Sequence, residues 1–139
     1  LLSHPKVLLP IDVTVAKNEE SRVTDLEDVQ HDESILDAGP KTIEMLNTYI
    51  DQAQTILWNG PLGNYEGGFQ EQTIACAKRI AESNAYTVVG GGDTVASIEA
   101  LNNQDKYSFL STAGGAMLTF LELGTLPALE ALQKSQQER

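Results

Sequence analysis

The residues best suited to chemistry stand in three glycine-rich segments. The first is Asn59-Gly60-Pro61-Leu62-Gly63-Asn64-Tyr65-Glu66-Gly67-Gly68, the second Gly90-Gly91-Gly92-Asp93-Thr94, and the third Ser111-Thr112-Ala113-Gly114-Gly115-Ala116. Glycine lacks a Cβ, so its backbone amide can approach a ligand closely. A helix starting at such a glycine adds unpaired N–H groups and the positive end of its dipole. Side by side, such segments would cradle a polyphosphate, whereas any one alone would serve equally as a tight strand-to-helix turn. Asp93 stands where a helix is expected to begin. It suits an N-cap, accepting from first-turn amides. It equally suits a magnesium ligand, because magnesium takes one or two carboxylates together with phosphate oxygens and water. Thr94 offers its hydroxyl to a phosphate or to its own helical turn. Glu66 would accept from ribose hydroxyls or stand free as a loop acid.

Each segment must be positioned by the element before it, and apolar runs precede all three. Thr55–Trp58, Tyr86–Val89 and Tyr107–Leu110 are short, rich in β-branched or aromatic residues, and bounded by turn formers. A fourth run, Lys6–Leu9 continuing through Ile11–Val15, reads as another strand. Helical spacing separates them: Ile43, Leu46 and Ile50 after Pro40; Phe69, Thr73, Cys76 and Ile80; Val95, Ile98 and Leu101; Leu118 and Leu121. Pro40 suits a first helical turn, Gly124 a helix end, and Pro127 the start of a last helix through Leu132. Strands alternating with helices predict an α/β fold, a Rossmann-like parallel sheet with helices on both faces. Ligands bind such sheets beyond the carboxyl ends of the strands, which is where the glycine segments lie.

The 139 residues imply one unit, with acidic residues Glu19 to Asp37 as a solvated connecting segment and a frayed tail over 134–139. Short alternation over Arg22–Leu26 reads as an edge strand within the acidic segment. Hydrophobic residues at 41% and charged residues at 21% argue against disorder. A net charge of −11 disfavours nucleic acid and anionic membranes as partners. No apolar run approaches the roughly 20 residues of a membrane span, and no basic-then-apolar leader opens the sequence, so a cytoplasmic setting is expected. The single Cys76 excludes an internal disulfide framework and a cysteine-based zinc site. A GxxxxGKS/T phosphate loop is absent, and Gly90–Val95 lacks the last glycine of GxGxxG.

The three segments together resemble the C-terminal half of phosphoglycerate kinase. The resemblance rests on Leu8–Ala16 (LLPIDVTVA), Asp37–Thr42 (DAGPKT), Thr55–Glu66 (TILWNGPLGNYE), Thr87–Thr94 (TVVGGGDT), Ser111–Ala116 (STAGGA) and Leu126-Pro127, in order from about Lys6 to Leu132. It implies an incomplete C-terminal, nucleotide-binding domain of a two-domain kinase, usually monomeric and cytosolic. The family transfers a phosphoryl group reversibly between 1,3-bisphosphoglycerate and Mg-ADP, giving 3-phosphoglycerate and Mg-ATP in glycolysis. On this resemblance Asp93 is the magnesium ligand and Thr94 a β-phosphate contact, and Gly91 and Gly92 bring amides to the nucleotide. Asn59 meets the phosphate–metal region, Pro61 shapes the pocket and Glu66 binds ribose. Ala113, Gly114 and Gly115 present amides to the phosphoryl in flight. That division of labour suits phosphoryl transfer, which needs positioning and charge neutralisation more than covalent groups from the protein.

The sequence departs from the family pattern in places. Ala113 replaces a glycine, which is tolerable if its φ is negative. Asn64 replaces an apolar residue of the base pocket, and Thr119 replaces a common glutamate. The phosphoglycerate-binding domain and a glycine–alanine–lysine motif have no counterpart, and neither Lys17 nor Lys41 substitutes for its lysines. The resemblance therefore implies a chain that does not catalyse transfer alone and that exposes apolar sheet surface. A non-catalytic folded remnant or interaction module is the alternative. A nicotinamide-dependent half-domain is a third reading, which the missing GxGxxG disfavours.

Overall fold

A computed structural model describes residues 4–18 and 20–137. From Pro40 to Leu123 helices and strands alternate as the hydrophobic spacing requires, and one more helix follows. The order is α1 (Pro40–Gln52), β4 (Thr55–Asn59), α2 (Glu71–Ala81), β5 (Tyr86–Gly90), α3 (Gly92–Ala100), β6 (Phe109–Ser111), α4 (Gly114–Leu123) and α5 (Pro127–Gln137). Before them lie β1 (Asp12–Lys17), β2 (Glu20–Asp25) and β3 (Ser34–Ala38). β4, β5 and β6 form a parallel sheet in that spatial order, with Trp58 beside Val89 and Val89 beside Leu110. Consequently the carboxyl ends of all three strands leave the same edge.

The face holding Trp58 and Val89 is the core. Ile43 and Ile50 of α1, Cys76, Ala77 and Ile80 of α2, Ile98 of α3 and Tyr107 pack against it. The Tyr107 hydroxyl donates to the Ala77 carbonyl at 2.7 Å, which satisfies its one polar group inside that core. Burial pushes the Cys76 thiol up to about 11, so this cysteine is an inert packing residue.

The opposite face is barely covered. Leu57, Val88 and Phe109 are side by side on it, with Leu57 48% and Phe109 53% exposed. Helix α4 reaches this face at Gly90, where a Cβ would lie 2.3 Å from Met117 Cε. Helices on both faces are thus realised unevenly, and the expected apolar sheet surface is present. Among the described residues no strand pairs with the outer edge of β4. Such an edge beside apolar side chains invites association. Leu57→Lys is expected to raise the concentration at which the chain self-associates about tenfold, measured by sedimentation velocity.

Three expectations change. The first apolar run does not join the parallel sheet. Residues 6–9 form no strand, and β1 is the centre of a separate antiparallel sheet of order β2-β1-β3. The acidic stretch supplies its two partners, so much of it is sheet rather than connection; Glu19 lies outside the described residues. Arg22 holds the stretch together, with Nε donating to Glu33 Oε1 at 2.8 Å and Nη2 donating to Glu33 Oε2 at 2.9 Å and to the Asp28 carbonyl at 3.3 Å. At the other end, Gly124 (φ 71°) closes α4 by donating to the Phe120 carbonyl at 2.8 Å. Helix α5 then continues through Gln137, past the expected fraying point at 134, while Glu138 and Arg139 lie outside the described residues. Among the described residues no single helix is long and apolar enough to cross a membrane; α4 and α5 pass that test only as a pair bent by 66°.

Candidate functional site

The three glycine-rich exits meet. Gly91 and Gly114 touch so closely that a Cβ on Gly114 would lie 2.6 Å from the Gly91 nitrogen and 2.3 Å from Asn59 Oδ1. The Gly91 amide donates to the Ser111 carbonyl at 3.0 Å, and the Gly60 amide donates to Thr94 Oγ1 at 3.0 Å. One residue from each strand end is therefore fixed to the next. This juxtaposition sets the first turns of α3 and α4 beside each other, and both helices start without a side-chain cap. Unpaired N–H groups at two neighbouring helix starts form a shelf suited to phosphate oxygens.

Individual residues take distinct places on the shelf. Gly91 is the N-cap of α3 with φ 99°, a conformation costly for any residue with a Cβ. Asp93 is therefore inside the first turn, exposed, and not the cap that local rules allowed. Gly92 and Gly115 face open space, with nothing within 4 Å of a built Cβ. Ala113 has φ −103°, so the alanine is unstrained; its amide donates to Ser111 Oγ at 3.3 Å. Asn59 is exposed and its Oδ1 overhangs both Gly90 and Gly114. Thr94 is 0% exposed and ties the β4 exit to α3, its Oγ1 accepting from the Gly60 amide. Pro61 is partly buried at the start of the long loop and Glu66 is exposed at its turn.

A magnesium ion held by one carboxylate and phosphate oxygens fits this donor set. Asp93 supplies an exposed carboxylate at the shelf, and among the described residues no cluster of three His, Cys, Asp or Glu exists that would hold a metal unaided. Two hollows adjoin the shelf and its long loop. One of about 280 Å³ is lined by Phe109, Ser111, Ala113, Met117, Phe120 and Leu126. Another of about 290 Å³, next to Leu8, Leu9, Val13, Met45 and Leu46, touches the long loop only through Leu62.

Three residues acquire roles that spacing did not reveal. Asn64 Oδ1 accepts from the Gly67 amide at 3.0 Å, so this polar substitution closes the turn that displays Glu66. Thr119 Oγ1 donates to the Gly115 carbonyl at 3.0 Å, back along α4. Asp37, quoted only as part of a motif, is buried at the root of the long loop. Burial pushes its carboxyl above the usual range, against the pull of amides from Gln72 and Ala38.

Comparison with known proteins points one way. The family model described as phosphoglycerate kinase matches residues 2–123. A phosphoglycerate kinase of Francisella philomiragia subsp. philomiragia is 49% identical over 131 residues, 91% of this chain and 33% of the relative. One of Francisella tularensis subsp. tularensis is 46% identical with the same coverage. The solved phosphoglycerate kinase of Coxiella burnetii superposes with a TM-score of 0.79 at 42% identity, covering 95% of this chain and 35% of that one. That of Pyrococcus horikoshii OT3 does so with a TM-score of 0.79 at 36% identity, over 94% and 33%. The chain thus spans about a third of the length of the relatives it matches.

Proposed function

The chain belongs to the phosphoglycerate kinase family, and from that membership we propose that it is the C-terminal, nucleotide-holding part of such an enzyme. The observation that carries the reading is the contact of Gly91 with Gly114, which makes one shelf of two helix starts. ADP or ATP lies with its phosphates along that shelf. Gly92 offers its amide on the α3 side, held in place by Gly91, whose own amide is taken by the Ser111 carbonyl, and Ala113, Gly114 and Gly115 line the α4 side. Thr94 braces the β4 exit and meets the β-phosphate through its hydroxyl. Asn59 stands at the junction, Pro61 shapes the pocket edge and Glu66 takes the ribose hydroxyls. Asp93 holds magnesium, which when bound neutralises phosphate charge during transfer between 1,3-bisphosphoglycerate and ADP. The phosphoglycerate site belongs to a second domain, so the chain alone binds nucleotide without turning it over. The complete enzyme acts in glycolysis in the cytoplasm as a monomer.

Titration with Mg-ADP, followed by amide chemical shifts, tests this. Shifts are expected to concentrate at Gly91, Gly92, Gly114 and Gly115. Asp93→Ala is expected to weaken Mg-ADP about tenfold while leaving metal-free ADP unchanged, as loss of one charge-assisted contact implies. A folded sample with no shift anywhere would overturn the reading in favour of a non-catalytic remnant.

A further inference from the structure

The long loop between β4 and α2 carries Pro61 and Glu66, yet four of its eleven residues, 60–70, are glycines. Its own bonds close its tip, where the Gly67 amide donates to Asn64 Oδ1 at 3.0 Å and the Phe69 amide to the Asn64 carbonyl at 3.1 Å. Its backbone is further tied to α3, where the Gly60 amide donates to Thr94 Oγ1 at 3.0 Å, to α2, where the Leu62 amide donates to Thr73 Oγ1 at 3.0 Å, and to the antiparallel sheet. The Asn64 amide donates to the Leu36 carbonyl at 2.7 Å, and the Gln72 amide donates to Asp37 Oδ2 at 3.1 Å. Leu36 and Asp37 are consecutive residues of β3 in the antiparallel sheet. Asp37 Oδ1 accepts from the Ala38 amide at 2.9 Å, so the carboxylate is fixed in rotation. Above it passes Gly63, where a Cβ would lie 2.5 Å from Asp37 Cγ and 2.5 Å from the Phe69 carbonyl oxygen. Asp37 is 4% exposed, and the partners that compensate its burial are backbone amides. One buried side chain therefore sits under the start of the loop and at the start of α2, where the loop ends.

We propose that Asp37 is the positioning residue of this loop, through which the antiparallel sheet sets the place of Glu66 relative to the phosphate shelf. This rests on the nucleotide reading above and deepens it. A carboxylate that only capped α2 would affect stability and nothing else. A carboxylate that places Glu66 governs the part of a nucleotide beyond its phosphates and leaves the shelf untouched. Gly63 and Asp37 meet from opposite sides, so a change on either one displaces the same contact.

The test uses Asp37→Asn, which keeps the volume but turns one acceptor into a donor facing an amide, and Gly63→Ala, which pushes from the loop side. Mg-ADP and Mg-pyrophosphate are titrated into each, because pyrophosphate engages only the shelf. Both variants are expected to lose about tenfold in Mg-ADP affinity with pyrophosphate binding changed by less than about twofold. Glu66→Gln is expected to show the same pattern, and Asp37→Asn combined with Glu66→Gln to be no weaker than Glu66→Gln alone. Equal losses for both ligands, or losses that add in the double variant, overturn the proposal. Hydrogen exchange gives an answer that does not depend on nucleotide. Exchange at Asn64 and Gln72 is expected to speed up about tenfold in Asp37→Asn, with α3 and α4 unchanged. Unchanged exchange at Asn64 overturns the positioning role. Failure of the wild-type chain to bind Mg-ADP overturns the nucleotide reading instead, and the exchange result then decides the positioning by itself.

Discussion

Gly114→Ala is expected to lower stability by about 2 kcal/mol and to remove measurable Mg-ADP binding, whereas Gly115→Ala is expected to leave the fold intact. The two glycines are adjacent and both lie in the first turn of α4. What separates them is what stands in front. A Cβ on Gly114 would enter the space of the Gly91 nitrogen at 2.6 Å and the Gly91 Cα at 2.8 Å. Those are backbone atoms held by the Gly91 bond to the Ser111 carbonyl, so relief requires the two helix starts to part. The shelf is that contact; parting the helices spreads the amides a polyphosphate would bridge. A Cβ on Gly115 meets nothing within 4 Å, and alanine gains about 0.5 to 1 kcal/mol over glycine inside a helix. Urea denaturation read by Trp58 fluorescence measures both. The single tryptophan is buried and its indole N–H donates to the Gly60 carbonyl at 2.8 Å, so it reports from the β4 exit. Equal midpoints for the two variants would show that the Gly91–Gly114 contact does not hold the exits together.

The parts of this arrangement that local sequence announces are those in which neighbours in the chain are neighbours in space. Three apolar runs each followed by glycines place β4, β5 and β6 and their exits to within a residue or two. The antiparallel sheet is less visible because its edge strand buries so little. In β2 only Thr24 is buried, and Glu20, Ser21, Arg22 and Asp25 read as solvent-facing polar residues. The alternation at Arg22–Leu26 marks that edge strand, which the structure places at Glu20–Asp25, but with one small polar residue inward the pattern does not reveal its partners. The first apolar run joins the antiparallel sheet for a related reason. A continuous apolar run looks alike in a parallel and an antiparallel sheet, and only the partners decide, here β2 and β3. One dihedral angle keeps Asp93 from capping α3: Gly91 takes φ 99°, moving the helix start ahead of the aspartate. Asp37 was hidden because its amide partner Gln72 lies 35 residues on, beyond the reach of capping rules that look three residues ahead.

The same long reach governs Asp12, whose loss is expected to be the most damaging single change to the fold. Asp12 lies in β1 and is 1% exposed, yet it serves the start of α1. Its Oδ1 accepts from the Thr42 amide at 2.7 Å and the Thr42 hydroxyl at 2.8 Å, and its Oδ2 accepts from the Lys41 amide at 3.0 Å. Gly39 comes so close that a Cβ there would lie 2.2 Å from Asp12 Cγ. Helix α1 has no cap of its own, since Gly39 precedes Pro40, so this remote carboxylate satisfies its first free amides. Asp12→Ala strands these buried donors and is expected to cost about 3 kcal/mol at neutral pH, a large share of a small domain's stability. The pH dependence follows from the charge. Burial alone would raise the Asp12 carboxyl, but the amides of Lys41 and Thr42 and the Thr42 hydroxyl outweigh it and hold it below its ordinary 3.8. A group whose folded value is depressed stabilises the fold above its unfolded value and loses that contribution as pH falls through the folded one. The gap between wild type and Asp12→Ala is therefore expected to narrow as pH drops below 3.8. Asp37 works in the opposite sense: its folded value is raised, so its contribution is full below 3.8 and falls as pH rises through that raised value. Asp12→Asn separates charge from shape, because it keeps one acceptor and has nothing to titrate. Urea midpoints for wild type, Asp12→Ala and Asp12→Asn, measured from about pH 2.5 to 7, read the difference. A gap between wild type and Asp12→Asn that stays constant below pH 3.8 would show that the ionised carboxylate is not what holds the start of α1.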